Sequence, residues 1–408
     1  MGYAVKVFGL SLQVIDHVSD RRLRPRITTD VVVKSALVLF WCRLGSLNAL
    51  EMTRRAKSWK AWLGRPLSSA DSIGRVGACL EADTLRSGIH HIYDRLKRNK
   101  ALSDLYGLAV AVLDGHETSA SYRRCCPGCL KRTIHSERGD RTQFYHRNVT
   151  LMLLCSTPPG RPPLRLLLDL EPQRPGETEL ATALRLLARV IDAYPRAFDL
   201  VLADALYDVA PFLNFLLSHG KQALLVLKDE GRNLYQDAAG LWPQEEPQKG
   251  QYRSRSCLWW DFSDLLSWPE VQGSVRVVRS EESWTVKAQL TKQPTAQTAR
   301  WVWLTTLSVA QARTEQIVRL AHLRWDIENH GFNELVNGWY ADHVYRHHPQ
   351  AIECFLLLAF LAYNVFHAFV ALNLKPEIRR GKTAKFWARL LSAEIHADPH
   401  LCASDSSP

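Results

Sequence analysis

The sequence predicts an α/β fold of mixed α+β character: a mixed sheet flanked by helices, a helical region in front of it, and a β-rich insertion. Three observations predict it. Between about residues 106 and 228 the apolar runs read strand, strand, strand, helix, strand, helix, strand. The first hundred residues instead place apolar side chains at helical spacing. Residues 229 to 310 break into short strand-like pieces separated by Pro, Gly and Gln.

Each element has its own signal. Thr29 is placed to cap a helix through Val31-Val32-Val33 to Trp41, and Ser68-Ser69-Ala70-Asp71 has capping-box spacing before Ile73. Leu85, Ile89, Ile92, Tyr93 and Leu96 line one face of a helix over residues 84 to 98. This helical region, residues 1 to 100, reads either as a DNA-end-binding domain or as a bundle packed on the core. The core is expected over residues 101 to 228. It has strands at 108 to 113, 143 to 155, 164 to 170, 198 to 203 and 223 to 227, and helices at 177 to 193 and 210 to 218. The insertion spans residues 229 to 310, with strand pieces at 256 to 262, 275 to 280, 284 to 290 and 299 to 306. Helices resume over residues 311 to 395, and residues 396 to 408 form a disordered tail.

With 52 Lys and Arg against 41 Asp and Glu, the chain carries a formal charge of +11. Such a surplus suits a polyanionic partner, because basic groups on phosphates release counterions, and it also suits an ordinary basic enzyme. Cys42, Cys155 and Cys354 sit in apolar runs and read as buried thiols. No charged-then-apolar leader opens the sequence, so a reducing, cytoplasmic setting is expected. Residues 354 to 372 approach the length of a membrane span. They enclose Asn364 and His367, and read better as a buried core helix than as a membrane anchor.

Two aspartates close apolar strands, Asp114 in VAVLD and Asp204 in DLVLAD. Strand ends of an α/β sheet form its ligand-binding rim, although a single strand-end Asp often only caps a turn. A third acid, Glu328, follows Arg324 by four residues in Arg324-Trp325-Asp326-Ile327-Glu328, so a regular helix would put both on one face. Three carboxylates of this kind suit two hard cations, Mg²⁺ or Mn²⁺, bound through oxygen.

The chain here resembles the DDE transposases of bacterial insertion sequences, in the group with a β-strand insertion. The likeness rests on Asp114-Gly115-His116-Glu117, Asp204-Ala205-Leu206-Tyr207, the LLVLK run ending at Lys228, and RWDIE. It implies a ribonuclease H-like core that uses Asp114, Asp204 and Glu328 as catalytic metal ligands, nicks DNA at transposon ends and transfers strands. It also implies that Arg324 and Lys228 face DNA. The group's Tyr-Arg-Glu-Lys signature is kept at Arg324 and Glu328 and changed to Ala321 and Leu335 at the outer positions, where His322 or Asn333 offers a substitute. Double-stranded DNA with terminal inverted repeats, target DNA and a second copy of the chain are the implied partners. A ribonuclease H-like nuclease, or a domesticated and inactive DNA-binding protein, would carry much of the same sequence.

Two other features matter. Arg123, Arg124, Lys131 and Arg132 lie in a basic segment from Ser121 to Arg147, which reads as a DNA-backbone contact or a solvated loop. Within it, Cys125, Cys126 and Cys129 offer thiols to a structural Zn²⁺, with His116, His135 or His146 to complete the set. The sequence has no second CxxC, so an ordinary loop competes with that reading. Trp242, Trp259, Trp260, Trp268 and Trp284 crowd the insertion, as base-stacking surfaces or as core.

Overall fold

The computed structural model describes residues 2–137, 139–156, 163–287 and 294–397. The tail expected at residues 396 to 408 falls almost wholly outside them, as do Arg138 and the last residues of the piece expected at 284 to 290. In chain order, helices α1 (Gly2–Phe8), α2 (Thr29–Trp41), α3 (Leu47–Met52), α4 (Ser58–Leu63), α5 (Ala70–Gly77) and α6 (Ala82–Arg98) come first. Strands β1 (Val110–Ser121), β2 (Leu130–Ile134), β3 (Arg141–Cys155) and β4 (Leu164–Pro172) follow, then α7 (Glu179–Ala193), β5 (Leu200–Ala203), α8 (Ala210–Ser218), β6 (Gln222–Val226) and α9 (Asn233–Leu241). After them come β7 (Gln248–Tyr252), β8 (Arg255–Leu265), β9 (Val275–Lys287), β10 (Pro294–Thr305), α10 (Thr314–His322), α11 (Asn333–Trp339), α12 (Pro349–Ala368), α13 (Pro376–Arg379) and α14 (Ala384–Glu394). The fold is mixed α/β with a mixed sheet, as the patterning predicts.

The chain forms two compact units. The first holds residues 1–103, 115–194 and 328–408. In it, β2 and β4 both pair antiparallel with β3, through Leu130↔Tyr145 and Asn148↔Pro172, and β3 borders β1. The helical stretch Pro349–Asn373, which contains α12, is long and apolar enough to cross a membrane, but most of it is buried in the protein. Its one fully buried polar side chain, Asn364, explains itself. Asn364 accepts from Leu167 N at 2.9 Å and donates to Leu167 O at 2.9 Å. Among the described residues β4 pairs only with β3, and an unmet pair of backbone groups would cost on the order of 1–3 kcal/mol each. Helix α2 packs on the same helix, with Trp41 Nε1 donating to Ala362 O at 2.9 Å. The helix signals hold with small shifts. Ser69 caps α5 by accepting from Ser72 N, whereas Thr28, not Thr29, holds the cap position of α2, and Thr29, the first helical residue, donates to Asp20 at 2.5 Å.

Buried ions knit this unit together. Arg86 on α6 reaches Asp169 on β4 at 3.0 Å and Glu353 on α12 at 2.5 Å, and Arg189 on α7 reaches the other oxygen of Asp169 at 2.8 Å. Elsewhere Glu334 on α11 pairs with His367 at 3.0 Å, Arg43 at 3.2 Å and Trp339 Nε1 at 3.2 Å. Burial alone would raise the Glu334 carboxyl, but these three donors outweigh it and hold it at about 2. The folded value lies below the unfolded one. The stabilisation is therefore whole above pH 4.5 and drains away as pH falls from 4.5 toward 2. It amounts to at most about 3 kcal/mol. Urea unfolding across this window is expected to lose stability less steeply in Glu334→Gln than in the parent chain. Equal slopes would remove Glu334 as a source of acid sensitivity.

The second unit holds residues 104–114 and 195–327. Its strands run β1-β5-β6-β10-β9-β8-β7. β1–β5 and β5–β6 are parallel, and the remaining pairs are antiparallel. Two sequence expectations change. The pieces at 275 to 280 and 284 to 290 belong to one strand, β9, which reaches Lys287 and pairs along its length with β10. The β-rich segment also begins with a helix, α9, and ends inside the main sheet, because Trp303 of β10 faces Val226 of β6. Arg276 on β9 is buried and meets Asp261 on β8 at 2.5 Å, while Thr314 at the start of α10 donates to the same carboxylate at 2.6 Å.

Candidate active site

The register of β1 against β5 places the two aspartates. Val110, Ala111 and Val112 face Leu200, Val201 and Leu202, and two residues beyond the last pair come Asp114, on β1, and Asp204, the first residue after β5. Neighbouring strands are roughly 4.8 Å apart, and level residues point to the same face. Every residue from Val110 to Leu113 and from Leu200 to Ala203 is buried. Asp114 and Asp204 are the first polar side chains on each strand, which is why the apolar runs marked them.

One expectation is corrected. β1 does not stop at Asp114 but continues to Ser121. What ends there is its parallel partner, since β5 closes at Ala203. Asp114 thus marks the rim of the parallel part of the sheet rather than a strand end. Asp204 does cap, as a strand-end Asp often does. Its Oδ1 accepts from Leu206 N at 2.8 Å and starts a 3₁₀ turn over Ala205–Tyr207.

Arg324 lies 3.8 Å from Asp114 Oδ2, both side chains nearly buried, and its guanidinium packs on the Trp325 ring at 4.7 Å. A planar cation held beside the carboxylate is well shaped for phosphate, which it can grip with two parallel hydrogen bonds. The segment carrying it is anchored by Trp325, edge-on to Trp301 at 4.9 Å. His322 is anchored too. It pairs with buried Glu282 at 2.6 Å and stacks on Tyr252 at 4.2 Å. His322 is therefore held by partners inside its own unit. Ala321 and Leu335 are themselves buried. Asn333 is exposed and accepts from Asn337 at 2.5 Å.

Glu328 stands exposed on a π-helical turn, Ile327–Phe332, reached from α10 through a 3₁₀ turn at Leu323–Trp325. The regular helix expected across RWDIE is absent. The 3₁₀ turn tightens the backbone and the π turn widens it, so a spacing of four no longer sets Glu328 above Arg324. Its far end is pinned by Phe332, stacked on His116 at 4.4 Å. The second unit thus gathers Asp114, Asp204 and Arg324, and Glu328 opens the last segment of the first.

Among the remaining candidates, Lys228 is exposed just past β6. Arg123 and Arg124 are exposed on the turn after β1, and Lys131 is exposed on β2. Arg132, also on β2, is held by Glu117 at 2.7 and 2.9 Å and lies over the Tyr145 ring. The insertion tryptophans mostly carry arginines: Arg279 lies over the rings of both Trp242 and Trp260, Arg255 over Trp284, and Arg232 over Trp268. Those ring faces are already stacked. The thiols sort themselves as well. Cys126 and Cys129 converge with His146 and His347, while His135 pairs with Asp140. Cys125 and His116 stand outside that group. His146 is pushed down to about 4, by burial first and by His347 second. His347 was missed in the sequence, because it lies 218 positions from Cys129 and no local spacing links them.

Acids at the ends of the parallel pairing in a mixed sheet, with Arg324 beside Asp114, belong to a mixed α/β architecture consistent with a ribonuclease H-like fold. Residues 140–365 match the family model described as the transposase DDE domain, and the chain belongs to that family. It is a transposase of insertion-sequence type whose substrate is DNA, in a family that works with divalent metal ions. Asp204, Lys228, Arg324 and Glu328 fall inside the matched stretch, and Asp114 precedes it. No curated protein matches the chain.

Proposed function

We propose that the chain cuts DNA at the two ends of a mobile element and joins the freed 3′ ends to a target, with Asp114, Asp204 and Glu328 as the catalytic carboxylates. The observation that carries this reading is the place of Asp114 on β1 and of Asp204 just past β5, each two residues beyond the paired Val112 and Leu202 of these parallel neighbours. Their donors are hard oxygens of the kind Mg²⁺ and Mn²⁺ prefer, so the residues present fit a divalent centre. Two such ions, held by the three acids, would activate the attacking hydroxyl and stabilise the departing 3′ oxygen. Glu328, exposed on its widened turn, supplies the third carboxylate in this reading.

The protein's own groups do the positioning. Arg324 offsets the Asp114 charge in the free protein and turns to a DNA phosphate in the complex. Lys228 and the exposed Arg123, Arg124 and Lys131 hold the backbone, with Arg132 joining them only by leaving Glu117. The helical region of residues 1 to 100 grips the inverted repeat. Two chains pair two ends, because transposition needs both. The setting is the cytoplasm, at the nucleoid.

The test is a duplex carrying the short inverted repeats that flank the coding region, incubated with the protein in Mg²⁺ or Mn²⁺. Nicks at the repeat boundary and strand-transfer products in a second DNA are expected. Binding without cleavage in either metal would sink the proposal, and nicks without joined products would leave a nuclease. Arg324→Ala is expected to weaken end binding and to lower the slope of log affinity against log salt by about one. An unchanged slope would take Arg324 off the phosphate.

A further inference from the structure

We propose that Cys126, Cys129, His146 and His347 bind a structural zinc ion, separate from the carboxylate centre. All four belong to the first compact unit. Their ligand atoms lie within 4.8 Å of one another. Cys126 Sγ is 3.6 Å from Cys129 Sγ, and His146 Nε2 is 3.3 Å from each sulfur. His347 Nε2 stands 3.8 Å from Cys129 Sγ. A tetrahedral zinc with Zn–S near 2.3 Å and Zn–N near 2.05 Å has edges of about 3.8 Å between sulfurs and about 3.6 Å from sulfur to nitrogen. Four of the six edges thus match that tetrahedron to about 0.3 Å, and no two of the four atoms are more than 4.8 Å apart.

The backbone agrees. Cys126 N donates to Cys129 Sγ at 3.2 Å, and Cys129 N donates to Cys126 O at 3.0 Å. This curls the CxxC into a knuckle that turns both sulfurs inward. Gly128 completes it: a Cβ there would come within 3.1 Å of Pro349, the first residue of α12. The knuckle is thus pressed against the helix start beside His347.

The donor chemistry selects the ion. Two thiolates and two imidazoles, with no carboxylate among the four, suit zinc and not magnesium. A disulfide accounts for less. Its S–S bond is about 2.05 Å, well short of the sulfur separation here, and it gives the two histidines nothing to do. The ion would clip the turn after β1 and strand β3 to the entrance of α12. It would also hold Arg123 and Arg124, just ahead of the knuckle, in a fixed attitude.

The experiment is metal analysis of the purified full-length chain, kept reduced, by inductively coupled plasma mass spectrometry. One zinc per chain is expected. Replacement by Co²⁺ should give strong visible bands of a tetrahedral ion and a thiolate charge-transfer band in the near ultraviolet. Cys129→Ser and His347→Ala should lose the metal, while Cys125→Ser and His135→Ala keep it. A parent chain that holds no zinc and takes up neither zinc nor cobalt overturns the proposal, whether or not the variants fold. A Cys125→Ser chain that loses zinc, or a His347→Ala chain that keeps it under chelator challenge, overturns this ligand set.

Discussion

Asp204→Asn is expected to cut metal-dependent DNA cleavage by roughly 10³-fold while leaving the fold in place. The side-chain oxygen that caps the turn survives in asparagine, so the bond to Leu206 N at 2.8 Å can still form. Only the negative charge is lost, and with it the pull on a divalent ion. Asp114→Asn should lose as much activity and should also loosen Arg324, now 3.8 Å from the carboxylate. Glu328→Gln completes the set. The measurement is the rate of nicking of an end-bearing duplex, read beside a thermal melt of each variant. A folded Asp204→Asn chain that nicks at the parental rate would refute the proposed chemistry. Equal loss in all three folded variants is the pattern of groups acting as one centre.

Arg86→Ala is expected to destabilise the first compact unit by about 3–5 kcal/mol. Arg86 answers Asp169 on β4 and Glu353 on α12 at once, with all three side chains at least four-fifths buried. Burial works against the guanidinium, but the two carboxylates beside it hold it firmly protonated. Truncation leaves Asp169 with Arg189 and leaves Glu353, on α12, without the cation that Arg86 supplies. Urea unfolding reads the loss directly. Adding Glu353→Gln should restore part of it, because the stranded charge goes too. A cost under about 1 kcal/mol would class the pair with surface bridges, whose worth is small.

Much of this protein was legible because its signals are local. VAVLD and LVLAD announce buried strands that open onto an acid, and the apolar run after Cys354 announces a core helix. Ser69 caps its helix through its own side chain. What stayed hidden depends on distant partners. Asp114 read as a strand end because the apolar run stops there, although β1 continues once β3 borders it. The RWDIE segment read as plain α-helix because aromatic anchors, Trp325 on Trp301 and Phe332 on His116, set its pitch from outside. The partner of His322, Glu282, lies forty positions upstream and no local spacing announces it. The Cys/His cluster was half visible as a CxxC, but its last ligand lies far down the chain.

The pairing of β10 with β6 restricts how this chain can be shortened. Excising residues 229 to 310 as a detachable module would also remove Trp303, Leu304 and Thr305, which cover Val226, Leu225 and Leu224. The uncovered flank of β6 would then offer open backbone groups to any passing chain, an invitation to aggregate. Trimming confined to the β7–β8 hairpin leaves that flank covered, so tolerance to excision should fall sharply once a cut reaches β10.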